Sequence, residues 1–230
     1  MKPSVIFKRS IDIVMYVLFL LLMGQCVLRG AAHEWLGIAV VVLFVLHNVL
    51  NYRWYKALFK GKYTALRAVQ TVVNFLLMLA VLGCAVSGVL ISQHLFSVGS
   101  GSTIEFGRHL HLVVTAWAFV LMTVHLGLHW SLFTVLGKKV SFSERAKRAL
   151  SILGWILAAA LCLYGLYQFV DRRFWEELFH QIDYQKEYDY SQSLSAYFVG
   201  TAALSVPFVA AAHYGKRLLT GRGLRGNRQK

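Results

Sequence analysis

The chain has nine histidines in 230 residues, and four of them form two pairs with the same spacing. His33 and His47 are 14 residues apart, and so are His111 and His125. At about 100° per residue, that step turns an α-helix almost four times, so both members of a pair share one face. At about 1.5 Å per residue they lie about 21 Å apart along the axis. Two such helices side by side would oppose His33 to His111 and His47 to His125. This is the donor set for two haems of the b type, each held by two imidazoles. Random placement of nine histidines in 230 residues gives about 0.3 pairs at this spacing, so two pairs argue against chance.

The elements that must position these side chains are apolar. The composition is 57% hydrophobic and 15% charged, with two prolines, and the mean hydropathy is +0.56. Six runs, near 11–28, 32–51, 68–92, 109–136, 150–170 and 194–214, approach the length that crosses a bilayer core, roughly 17–25 residues. In lipid each backbone polar group must be satisfied within its own segment, so the runs are predicted to be helices. The expected fold is all-α, an integral membrane bundle of six transmembrane helices. Residues 1–140 would form a four-helix haem-binding core. Residues 141–230 would add a C-terminal helix pair, an acidic and aromatic outer segment and a basic tail.

Charge sets the expected orientation. Nineteen of the 24 Lys and Arg residues fall before the first run, between the second and third, between the fourth and fifth, and after the sixth. The alternate segments hold only Arg29, Arg108, Arg172, Arg173 and Lys186. The positive-inside bias therefore puts both termini in the cytoplasm. Eight of the ten acids fall on the other side, six of them in 171–189. The formal charge of +14 is spread over several short segments, which makes it a topology and anionic-lipid signal and argues against nucleic acid as a partner. With this topology the second and fourth runs are parallel. His33 and His111 share the outer level, and His47 and His125 the inner one.

Neighbouring residues refine the reading. Gly37, one turn from His33, leaves room for a flat macrocycle or for helix packing. Arg108 is placed for an outer propionate or for water. His109 and His129 are alternative ligands, and His129 lies one turn from His125 on nearly the same face. His94 and His213 are expected at the membrane surfaces, solvated. Asp12 is expected to cap or pair at the inner end of the first run. Gly83, Ser87 and Gly88 favour close helix contact, and Pro207 is a kink position. The basic, aromatic segment 52–63 is expected to lie in the interface, as an anchor or near inner propionates. Segment 171–193 is either a solvated loop or a docking surface for an outer partner. Cys26, Cys84 and Cys162 form no CxxC and read as small apolar residues. The first run is expected to be a retained helix instead of a cleaved signal.

The segments HEWLG, HNVLN, LFKGKY and HLGLHW, with looser matches at YGLYQF and AHYGKRLL, resemble the flavinylation-associated cytochrome family. This bacterial membrane family is similar in style to ferric reductase-like and cytochrome b-like haem proteins. The resemblance implies a haem-bearing electron conduit in the bacterial cytoplasmic membrane, serving extracytoplasmic proteins that carry covalent FMN. The motif histidines here are His33, His47, His111, His125 and His129. The outer HQIDYQKEYDY segment departs from the family pattern.

The expectation is thus two haems b, on His33 with His111 and on His47 with His125. Electrons would pass from a quinol or another cytoplasmic-side donor to an outer flavoprotein. No dinucleotide fingerprint, phosphate-binding loop or CxxCH accompanies these residues. The rival readings are a membrane anchor subunit whose histidines only bond helices together, and a histidine-lined metal-binding or transport protein.

Overall fold

The computed structural model describes residues 3–24, 30–130, 143–179 and 193–220. Cys26, the end of the first apolar run, Lys138 and Lys139, most of the acidic outer segment and the last ten residues lie outside the described residues. Eight helices follow one another: α1 (Pro3–Leu22), α2 (Ala31–Leu50), α3 (Tyr52–Ala57), α4 (Ala65–Ile91), α5 (Ser102–His129), α6 (Glu144–Asp171), α7 (Phe174–Leu178) and α8 (Leu194–Leu219). No strand occurs among the described residues.

Five helices, α2, α4, α5, α6 and α8, are long and apolar enough to cross a membrane. The chain is therefore an all-helical, multi-pass membrane protein. α1 has 20 residues, but Lys8, Arg9 and Asp12 lie in its first half. Every 18-residue stretch of α1 includes all three, which sets it apart from the other five. Large apolar side chains stay exposed along the long helices, among them Val45, Leu79, Leu82, Leu153, Ile156 and Leu163. In a bilayer such side chains meet hydrocarbon instead of water.

The chain packs as two compact units, each assembled from three segments: 1–62, 78–117 and 176–199 in the first, 63–77, 118–175 and 200–230 in the second. In the first unit α1 and α2 are antiparallel. Asp12 meets His47 and the Lys8 ammonium donates to the Leu50 carbonyl at the end of α2. The first unit also holds an antiparallel contact between α4 and α5, close because glycines line it. A Cβ at Gly83 would come within 3.1 Å of Val114, and one at Gly107 within 2.8 Å of Ile91. This approach lets short side chains reach across.

In the second unit α6 and α8 are antiparallel and touch at Gly165. A Cβ there would lie 2.1 Å from the Ala203 carbonyl oxygen and 2.8 Å from Pro207 Cδ. Pro207 lies inside α8, where it packs on this glycine. Next to it the Arg172 guanidinium donates to Gln168 Oε1 at 2.6 Å and to Thr201 Oγ1 at 2.9 Å. Gly165→Leu is expected to force the two helices apart and cost about 1–3 kcal/mol, as overpacking does. A lowered midpoint of thermal unfolding in detergent checks it. An unchanged midpoint would show that the contact is not a close one.

Candidate functional site

His33 is on the first turn of α2 and His111 in the first half of α5, both in the first unit. Their ring centres are 6.4 Å apart with planes inclined at 69°. Two imidazoles on opposite sides of one metal, each bonded at about 2 Å, have ring centres about 6 Å apart. The separation therefore suits one shared metal centre. The Nδ1 atom of His33 is buried with no hydrogen-bond partner, an arrangement that is unfavourable for a polar atom unless something satisfies it.

The His111 ring is held from behind. Its Nδ1 lies 2.9 Å from Ser87 Oγ, and Ser87 Oγ lies 2.6 Å from the Gly83 carbonyl oxygen. The hydroxyl has one proton and the carbonyl can only accept, so Ser87 donates to Gly83 and accepts from His111 Nδ1–H. The proton on Nδ1 leaves Nε2 with its lone pair, as a metal-ligating imidazole requires. Ser87 is fully buried, and a Cβ at neighbouring Gly88 would touch the His111 ring at 3.7 Å. Ser87 is thus more than a small residue in a helix contact.

The same device recurs at two other histidines. His47 Nδ1 is 2.8 Å from Asp12 Oδ1, while Asp12 Oδ2 accepts from the Arg9 guanidinium at 2.9 Å. The pairing expected of Asp12 exists, and its partners include the imidazole 35 residues away. In the second unit His125 Nδ1 is 2.8 Å from Asn74 Oδ1. Three of the four paired histidines therefore present Nδ1 to a side-chain oxygen on a neighbouring helix. None of these oxygens was singled out as a partner from spacing. Only Asp12, an acid within an apolar run, offered a signal.

The remaining residues divide clearly. The ring of His129 lies 4.7 Å from that of His125, so the two stay adjacent at one end of α5. His109 is half-buried two residues before His111, about 200° around the helix from it. Arg108 is exposed. A Cβ at Gly37 would meet nothing within 4 Å, so no helix packs against it and the space beside α2 is open there. His213 is half-buried with its Nδ1 out of solvent, where a solvated surface residue was expected.

His94 is not simply solvated either. Its Nδ1 lies 3.1 Å from Glu34 Oε1. Glu34 also accepts from Ser92 Oγ at 2.7 Å and from the backbone N–H groups of Gln93, His94 and Leu95 at 3.0, 3.3 and 2.9 Å. One carboxylate thus ties the chain after α4 to the first turn of α2, beside His33. Gly30 makes room for this clamp. Its φ is +63°, favourable only for glycine, and a Cβ would come 3.3 Å from the His94 ring.

Among the described residues no group of three or more His, Cys, Asp or Glu side chains is placed to hold a metal ion. The arrangement holds one facing imidazole pair, His33 with His111, of which Ser87 fixes the His111 tautomer, and this suits a metal whose other ligands come from a macrocycle. No protein-family model, curated protein or solved structure matches this chain.

Proposed function

We propose that this chain is a six-helix b-type cytochrome of the bacterial cytoplasmic membrane, with α1 as the sixth span and both termini in the cytoplasm. His33 and His111 would hold an outer haem. His47 and His125 would hold an inner one, an assignment that rests on the repeated spacing of 14. The observation that carries the proposal is the His33–His111 pair, 6.4 Å between ring centres, with Ser87 fixing the His111 tautomer. Haem held by two imidazoles, as His33 and His111 would hold it, would supply one-electron transfer and not oxygen binding.

The residues of the chain divide the remaining work. Ser87, Asp12 and Asn74 orient imidazoles through Nδ1 and keep Nε2 deprotonated. Glu34 holds the first turn of α2, and hence His33, against the chain that follows α4. The open side of α2 at Gly37 would admit a macrocycle edge, and Arg108 is placed for an outer propionate. Arg9 compensates the charge of Asp12 and His47 donates a hydrogen bond to it, which supports α1 as a span despite its charges. A quinol or cytoplasmic-side donor and an outer FMN-carrying protein are the partners that the resemblance implies.

The test is the dithionite-reduced minus oxidised spectrum of the purified protein, with haem quantified per chain. A b-type α-band with two haems per chain is expected. One haem would confine the function to a single pair. A colourless protein from haem-replete cells would overturn the proposal and leave the histidines as bonds between helices.

A further inference from the structure

The chain between α2 and α4 carries none of the paired histidines, yet its surface is unusual. α3 is pinned on one side. Leu58 is 8% exposed, and the Tyr55 hydroxyl donates to Asn48 Oδ1 on α2. The opposite side carries Tyr52, Arg53 and Lys56, all exposed, and the turn that follows carries Phe59, Lys60 and Lys62. The Lys56 ammonium lies 4.9 Å over the Tyr52 ring. Gly61, with φ +78°, reverses the chain directly after Phe59 and Lys60.

Phe59 is 98% exposed, the most of any large hydrophobic side chain among the described residues; the next reaches 70%. It lies outside every membrane-spanning helix, so the hydrocarbon core does not account for it. A phenyl ring fixed in water is unfavourable. The same ring at the boundary of headgroups and acyl chains, between cations, is stable. Residues 52–62 contain Arg53, Lys56, Lys60 and Lys62 and no acid. We propose that Phe59 with Arg53 and Lys56 forms a docking surface for acidic phospholipid headgroups, with the phenyl ring as a wedge below the phosphate level. Charge complementarity selects acidic over zwitterionic lipid. The proposal uses none of the haem-holding residues and stands apart from the cytochrome reading.

The experiment places the full-length protein in nanodiscs of mixed phosphatidylglycerol and phosphatidylcholine and counts the lipids retained by native mass spectrometry. The unmodified chain is expected to retain phosphatidylglycerol preferentially. R53Q/K56Q should lower that retention roughly tenfold, since each cation near an anionic surface contributes separately. F59S should lower it and F59L restore it, because only the apolar wedge differs. R145Q/R148Q, which removes two exposed cations at the start of α6, should leave it unchanged. Equal losses in the two double variants would reduce the effect to general charge and overturn the site. So would the absence of any phosphatidylglycerol preference. Retention unaffected by R53Q/K56Q and F59S would overturn it too, and would assign the patch to a protein partner.

Discussion

His111→Ala is expected to lower the haem content from two per chain to one. The proposed outer site rests on two imidazoles whose ring centres are 6.4 Å apart, and neither Ser87 nor Gly88 can replace a nitrogen ligand. His33→Ala should give the same stoichiometry. His94→Ala should retain two haems, because that imidazole is bonded to Glu34. The fold should survive His111→Ala, since Ser87 keeps its own acceptor at Gly83 O. Ser87→Ala is the graded case: loss of the oxygen behind a ligating histidine weakens metal binding about 10–100-fold. Haem quantification by pyridine haemochrome, alongside a thermal unfolding midpoint, separates lost ligation from lost folding. Two haems per chain in His111→Ala would remove this pair from the ligand set.

For the haem proposed on His47, Asp12→Asn is expected to raise the midpoint potential while leaving the stoichiometry intact. A carboxylate that accepts from His47 Nδ1–H at 2.8 Å makes the imidazole a stronger donor and favours ferric iron. Asparagine still accepts that proton but carries no charge. The Arg9 guanidinium, 2.9 Å from Asp12 Oδ2, would no longer face a negative group. Both changes favour the reduced form, so their signs agree. A shift on the order of 59 mV, tenfold in a one-electron equilibrium, is the expected scale. Potentiometric titration followed at the α-band measures it. Ser87→Thr, which keeps a neutral acceptor behind His111, should move the outer haem far less. A fall in potential, or an equal rise in both haems, would show that Asp12 does not act through His47.

The histidine pairs were legible because an α-helix has a fixed pitch. Once residues 33–47 and 111–125 are apolar enough to be helical, a spacing of 14 places each pair on one face whatever surrounds it. The helical class was equally legible, since lipid leaves few other ways to satisfy a backbone. α1 was harder. Its length suits a span, but Lys8, Arg9 and Asp12 break its apolar run, and the imidazole that bonds Asp12 beside Arg9 comes from another helix.

What the sequence by itself determined is local and periodic: helices, which residues share a face, and the asymmetry of basic charge along the chain. Only the tertiary structure decided which oxygen stands behind which imidazole. Asp12 is 35 residues from His47, Ser87 is 24 from His111 and Asn74 is 51 from His125. No helical period links those numbers. They depend on the register in which α1 meets α2 and α4 meets α5; for α4 and α5 glycines set it, Gly83 against Val114 and Gly107 against Ile91. A hydrogen bond needs its heavy atoms about 2.7–3.2 Å apart, a window of about 0.5 Å against a rise of about 1.5 Å per helical residue, so it follows from packing and not from spacing.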